Sequence, residues 1–282
     1  MSMTALDSRP MVATLLASDR ITPPDSPDDV RHLVFETHDP SFDIRIGQCL
    51  RLRVPGRYGQ AWHERLYSLA GLDVSDPERS EFALLVRRCH EIDDFNGERH
   101  PGVASNYLCD LAPGGAIEFT GPVGHPFPVP TDRRSPMIMV GMGTGIAPFR
   151  GLVRRIYESL GVWEGPVRLF YGARSGLEML YMNEQNADLA QYYDQQTFEA
   201  FRAVSPRPHV SAVPALGRAV EEHGAELRTL LEDPRTHLYV AGPEALKSAT
   251  EVALARVLGA PGRWAVLRQT LIAGGRWHEV LY

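Results

Sequence analysis

The residues best suited to chemistry in this sequence lie in the string "GMGTGIAPFRG". Gly141, Gly143 and Gly145 let a backbone turn sharply and come close to a ligand. The helix expected to follow presents free N–H groups and the positive end of its dipole. A pyrophosphate fits there. Taken alone, the string is equally what a tight structural turn looks like, but its place directly after the fully apolar run "MIMVGM" favours the nucleotide reading. Pro148 falls early in the expected helix, where a missing N–H is tolerated. The common dinucleotide fingerprint has a small residue in this stretch, so a variant nucleotide domain is expected.

Two further strings carry comparable chemistry. In "RLYS" a strand would place Arg65 and Tyr67 on one face and Leu66 and Ser68 on the other. A planar guanidinium suits a pyrophosphate, and the tyrosine beside it offers a flat surface to an aromatic ring; a surface arginine next to a packed tyrosine is the plainer alternative. In "GVASNYLCDL" the residues Gly102, Val103, Ala104 and Ser105 precede a short helix, "SNYLCDL", capped by Ser105, and form a second anion-binding end. The closing "GRWHEVLY" alternates β-forming residues and reads as a strand fixed down to Tyr282. Two anion sites in the first half, a third in the second half and a terminal aromatic suggest two different dinucleotides.

The elements that must position these residues divide into two textures. "MVATLLA", "VRHLVFETH", "CLRLRVPG", "RLYSLAG", "EFALLVRRC" and "AIEFTGPVG" are short β-like runs separated by Gly, Pro and Asp turns, the pattern of an antiparallel barrel or sandwich. After the charged joint "VPTDRRSPM", strands alternate with helices. "MIMVGM", "VRLFYGAR", "HVSAV", "HLYVAG" and "HEVLY" are the expected strands. "TGIAPFRGLVRRIYESLG", a long stretch from Leu180 to about Ala203, "GAELRTLLE" and "PEALKSATEVALARVLG" are the expected helices. Such alternation implies βαβ units and a parallel sheet. The expected domains are residues 1–132, a β-barrel, and residues 133–282, an α/β nucleotide-binding domain.

Composition narrows the function classes. A length of 282 residues suits two domains, and the net charge of −6 argues against nucleic acid or an anionic membrane as partner. The acidic excess lies in the first half. Cys49, Cys89 and Cys109 are too few and too widely spaced for a disulfide framework or an iron–sulfur cluster. No metal site is expected, and neither a leader nor a run long enough to span a membrane is visible, so the expected location is cytoplasmic.

"RLYS", "GVASNYLCDL", "TGPVG", "GMGTGIAPFRG", "LFYGAR", "EMLY", "YVAGPEAL" and the final tyrosine occur in the order found in plant-type ferredoxin-NADP reductases, which the chain resembles from about Gly47 to Tyr282. The resemblance implies an antiparallel six-stranded FAD-binding β-barrel followed by an NAD(P)-binding α/β parallel-sheet domain. It implies that Arg65, Leu66, Tyr67 and Ser68 hold FAD, with Ser68 near flavin N5, and that Gly102, Val103, Ala104 and Ser105 cap the FAD phosphates. Gly143, Thr144 and Gly145 would receive the NAD(P)H pyrophosphate, with Arg174 and Gly242 also lining that nucleotide. Tyr282 would cover the flavin until the nicotinamide displaces it, so Ser68 and Tyr282 are the expected catalytic residues.

The chain also departs from that pattern. Ala241 stands where the family commonly has cysteine, and Val280 where it has a carboxylate, with Glu279 one position off. Where the family has a Ser-Arg pair that clamps the NADPH 2′-phosphate, the stretch "HVSAVPALGRAVEEHG" has Pro214 and Ala215, leaving Arg174 and Arg218 as substitutes and NADPH and NADH both open. Glu91 replaces an adenine-stacking tyrosine, and "NADLAQYYDQQT", with Tyr192 and Tyr193, has the character of an insertion forming an amphipathic surface helix or a partner contact. The implied function is hydride exchange between NAD(P)H and FAD coupled to single-electron exchange with a ferredoxin, a flavodoxin or an oxygenase component. An electron-relay subunit of a larger complex and a direct flavin or oxygen reductase are the alternatives. Arg31, Arg45, Arg51, Arg53, Arg57, Arg87 and Arg88 are the candidates for a basic docking patch.

Overall fold

The computed structural model describes residues 9–57, 59–93 and 95–282. Residues 1–8, which carry half of the leader reading, lie outside them. The chain forms two compact units, one of residues up to Ile21 with Pro27–Pro126, the other of Thr22–Ser26 with Phe127–Tyr282. The division falls at Pro126, upstream of the boundary expected at Asp132.

The first unit is a closed antiparallel barrel of six strands. β1 (Met11–Arg20), β2 (Val30–Thr37), β3 (Cys49–Pro55), β4 (Trp62–Asp73) and β5 (Ser80–Arg87) are followed by a small hairpin, β6 (His90–Ile92) and β7 (Arg99–Pro101). Helix α1 (Val103–Asp110) and strand β8 (Ala116–Val123) complete the unit, and the barrel order is β1-β2-β5-β4-β3-β8. Closure leaves no free edge in this sheet. Alternation does the sorting: Met11, Ala13 and Leu15 of β1 are buried while Val12 and Leu16 are exposed. The interior is filled by aromatic rings, with Phe82 stacked on Phe35 at 5.5 Å and on Phe42 at 5.4 Å, and meeting Phe119 at 5.5 Å.

The second unit is a parallel five-stranded sheet. It contains β9 (Met137–Met142), α2 (Ile146–Arg154), β10 (Val167–Ala173), β11 (Phe198–Val204), α3 (Val213–Glu222) and α4 (Gly224–Glu232). β12 (His237–Gly242), α5 (Glu244–Val257), α6 (Pro261–Ala273) and β13 (Trp277–Leu281) complete it, in the sheet order β11-β10-β9-β12-β13. Helices cover the sheet, so β9 and β10 are apolar along almost their whole length. Ile138, Val140, Phe170, Leu238 and Val240 share one core with Leu216, Leu227, Leu254 and Trp264.

Three expectations change here. Leu180–Ala203 is not a long helix: it holds a short 3-10 turn, Asp188–Tyr192, and then β11. "HVSAV" is not a strand, because its last residue already starts α3, where Pro214 occupies an early position that needs no N–H. Helix α6 was not expected at all, and it too begins with a proline, Pro261. The expected surface helix around Tyr192 is replaced by this compact turn, in which Tyr192 is buried, hydrogen-bonds Glu158 and stacks on Tyr157.

Strands β12 and β13 are joined by a pair of histidines. His237 and His278 lie in parallel, 5.6 Å apart at 10°, with ring nitrogens at 3.3 Å, and His278 also stacks on Tyr239 at 4.8 Å. Burial, with the Arg276 charge acting on His237 and the His237 charge on His278, pushes both down to about 4. An unfolded histidine titrates near 6.5. The unfolded chain therefore takes up protons that the folded one refuses, and stability present above about pH 6.5 is lost as pH falls toward 4. The thermal midpoint of this unit, followed by near-UV circular dichroism, should drop across that window, and His237→Gln with His278→Gln should flatten the drop.

Candidate functional site

In the barrel unit the expected residues lie on adjoining stretches of β4 and α1. Register pairs Arg65 with Leu52, Leu66 with Arg51, Tyr67 with Leu50 and Ser68 with Cys49. Arg65 is exposed and donates to its neighbour's carbonyl, that of Glu64, at 3.0 Å. Leu66 is half exposed and Tyr67 half-buried, and the alternation of β4 puts the Tyr67 ring on the face that carries Arg65, an aromatic beside a cation. Burial raises the Tyr67 phenol well above its ordinary value, so it stays protonated.

Helix α1 is locked to the end of β5 by side chains. The Cys89 N–H donates to Ser105 Oγ at 3.1 Å, and Asn106 Nδ2 donates to the carbonyls of Cys89 at 2.9 Å and Gly102 at 2.8 Å. Arg88 in turn donates to Asn106 Oδ1 and Asp110. Ser105 is therefore not the cap. Gly102 occupies that position and no side chain caps the helix, because the Ser105 hydroxyl faces the backbone of Cys89. The first N–H groups of α1, at Val103, Ala104 and Ser105, have no acceptor within the helix, which suits a phosphate. With Arg65 on β4, the donor set fits the diphosphate of FAD.

In the second unit the string "GTG" forms a 3-10 turn, Gly143–Gly145, between β9 and α2. Gly143 has φ of 58°, a left-handed conformation that favours glycine. At Gly145 a Cβ would lie 2.1 Å from the Ala241 carbonyl oxygen, so the turn and the end of β12 touch backbone to backbone. The Tyr171 hydroxyl supports the turn from below, donating to the Gly143 carbonyl at 2.9 Å. Thr144 is on its open side. Bare backbone, a hydroxyl and the start of α2 fit the diphosphate of a nicotinamide nucleotide.

Tyr282 meets this turn directly. Thr144 Oγ1 donates to Tyr282 Oη at 2.8 Å, and the Tyr282 N–H donates to the Gly242 carbonyl at 3.1 Å. Gly242 and Tyr282 are thus brought to the Thr144 turn. Arg174 is not free: its Nε donates to Glu178 Oε2 at 3.0 Å and its Nη2 to Oε1 at 3.2 Å, and Glu178 is buried. Glu279 accepts from Lys247 at 2.8 Å and from Trp277 Nε1 at 2.9 Å.

The position of β11 exposes a residue that the sequence reading missed. Pro214 and Ala215 lie inside α3, and the segment that directly follows a strand is Ser205-Pro206-Arg207. Ser205 is buried; its N–H donates to the Ala173 carbonyl at the end of β10, and its hydroxyl donates to the Arg207 carbonyl at 2.9 Å. Arg207 is exposed, and among the described residues no side-chain hydrogen bond or ion pair engages its guanidinium. The apolar-polar alternation of "FEAFR" is too weak to mark the strand end that places it.

Most arginines of the candidate basic patch are ion-paired within the barrel. Arg31 and Arg88 share Asp29, Arg51 and Arg53 share Glu64, Arg45 faces Asp43 and Arg87 faces Asp28. Arg57 donates to the Pro101 carbonyl. Cys49, Cys89 and Cys109 are free thiols. Among the described residues no group of three His, Cys, Asp or Glu could hold a metal ion, and no helix is long and apolar enough to cross a membrane.

Comparison with known proteins agrees with this division. Residues 25–127 match the family profile described as oxidoreductase FAD-binding domain, and residues 139–251 that described as oxidoreductase NAD-binding domain. The cyanelle ferredoxin–NADP reductase of Cyanophora paradoxa is 29% identical over 284 residues, covering 98% of this chain and 77% of that protein. The chloroplastic leaf isozyme 1 of ferredoxin–NADP reductase from Oryza sativa subsp. indica is 30% identical over 283 residues, covering 97% and 77%. Among solved structures, the ferredoxin-NADP+ reductase from Plasmodium falciparum shares the fold at a TM-score of 0.72 and 18% identity, covering 97% of this chain and 96% of that one. The chain therefore belongs to the ferredoxin–NADP reductase family, as an oxidoreductase that binds FAD and NAD(P)H.

Proposed function

We propose that this protein is an NADPH-preferring flavoprotein reductase that moves a hydride between the nicotinamide and FAD and exchanges single electrons with a separate ferredoxin-like carrier. The observation that carries the reading is that each unit has its own diphosphate cradle, Arg65 with the start of α1 in the barrel and the Gly143–Gly145 turn in the parallel sheet. The flavin supplies the conversion between a two-electron donor and a one-electron acceptor. A flavodoxin or an oxygenase component has the same electron chemistry and is a second class of acceptor.

The protein's own residues orient and select. Arg65 neutralises the FAD diphosphate, the protonated Tyr67 on the same strand face offers the flat surface on which a flavin ring is held, and the Ser68 hydroxyl is the donor assigned to flavin N5. Val103, Ala104 and Ser105 point backbone N–H groups at the phosphates. In the second unit Thr144 and the glycines beside it take the nicotinamide nucleotide's diphosphate, with Gly242 and Tyr282 adjoining. A reducing, cytoplasmic setting belongs to this proposal and is supported by the three free thiols.

The preference for NADPH rests on Arg207. A 2′-phosphate carries close to two negative charges and needs a cation that is not already committed. Arg174 is committed to buried Glu178, whereas Arg207 follows β11 with its guanidinium exposed. Anaerobic stopped-flow reduction of the FAD-loaded protein should reach half-maximal rate at much lower NADPH than NADH concentration. Arg207→Ala should raise that NADPH concentration about tenfold, the scale of one charge-assisted hydrogen bond, and leave NADH unchanged. Equal responses to the two nucleotides would sink the assignment of Arg207.

The paired arginines of the barrel set a second expectation. A patch whose arginines are mostly ion-paired steers an acidic carrier less than the same arginines unpaired. The rate constant for reducing an acidic ferredoxin should change by less than about threefold between low and moderate ionic strength, measured by stopped-flow under pseudo-first-order conditions.

A further inference from the structure

Thr144 is engaged by the protein itself at the atom that a diphosphate would use. Its Oγ1 donates to Tyr282 Oη at 2.8 Å, and Tyr282 Oη donates onward to the Met142 carbonyl at 3.4 Å. The two bonds tie the Tyr282 hydroxyl to the turn and to Met142, the last residue of β9. The backbone of Tyr282 is secured separately, its N–H on the Gly242 carbonyl and its carbonyl on the Glu244 N–H, each at 3.1 Å. The ring can therefore swing without unpairing the strand, and with the residue 60% exposed little packing opposes it.

A threonine hydroxyl has one proton and can donate it to one acceptor at a time. We infer that Thr144 is a two-position latch: its proton goes to Tyr282 in the nucleotide-free protein and to a diphosphate oxygen in the complex. The diphosphate half of the nucleotide thus releases the Tyr282 ring, so release does not wait for the nicotinamide. The recognised chemistry is the diphosphate of an adenine dinucleotide. The inference rests on the reading that the Gly143–Gly145 turn holds that diphosphate, and it adds that the terminal ring competes for the same hydroxyl.

The latch predicts that Tyr282 affects a ligand that has no nicotinamide. Titration calorimetry of 2′-phospho-ADP-ribose into the FAD-loaded protein tests this with Tyr282→Phe, which keeps the ring and removes the hydroxyl. Affinity should rise about fivefold, the scale of one neutral hydrogen bond. In a Thr144→Val background the same Tyr282→Phe change should have no effect, since neither end of the latch remains. Thr144→Asp, which places a carboxylate in the turn, should abolish binding.

The outcomes separate the two ideas. If Tyr282→Phe leaves affinity unchanged while Thr144→Asp abolishes binding, the turn holds the diphosphate and the latch is wrong. If Thr144→Asp leaves affinity unchanged, the diphosphate lies elsewhere, and both the latch and the assignment of the turn fall. A gain on Tyr282→Phe that persists in the Thr144→Val background would also overturn the latch, because the benefit would then come from something other than the Thr144 bond.

Discussion

The second unit is organised around one steric constraint, the backbone contact between the turn after β9 and the end of β12. With Gly145 a Cβ's length from the Ala241 carbonyl, the two strand ends lie as close as backbones can, and no other residue fits there. That contact aims the first turn of α2 outward and brings Gly242 beside Thr144. Gly242 in turn accepts the Tyr282 N–H, so the position of the terminal ring follows from the same approach. Tyr171 completes the arrangement by holding the Gly143 carbonyl from within the core.

The barrel unit solves a different problem with the same chemistry. It has no long helix to aim at an anion, only the eight residues of α1. Orientation comes instead from a side-chain network in which Arg88, Asn106 and Ser105 tie the helix to the strand before it. The network uses polar groups that would otherwise be costly to bury. It also accounts for Ser105, whose type suggests a cap while its bond to Cys89 makes it an anchor.

What could be read from the sequence follows physical signal strength. The barrel strands announce themselves by alternation, and β9 and β10 by unbroken apolar runs, because each pattern is a direct image of burial. The glycine turn of Gly143–Gly145 and the RLYS strand were equally legible, whereas at α1 the type of Ser105 suggested a cap that Gly102 supplies. The failures lie where composition and burial disagree. The stretch before β11 is rich in Gln, Ala, Asp and Tyr, which favours a helix, yet Tyr192 is turned inward to Glu158 and Tyr157, and the following edge strand shows only weak alternation. In α3 and α6 an early proline reads as a break although it costs nothing at that position. The misplaced strand then hid Arg207, which becomes visible only once Val204 is known to be a strand end.

Lys247 is the only lysine in the chain, and its Nζ sits 2.8 Å from Glu279 on the strand that leads to Tyr282. An amine-directed reagent therefore has a single side-chain target, and that target reports on whether β13 is docked. While Glu279 holds Nζ against β13, the reagent's approach to it is hindered and acylation is slow; if the strand parts from α5, the side chain is released and becomes accessible. The composition of the protein thus provides a one-site chemical clock for the strand on which the terminal ring is mounted.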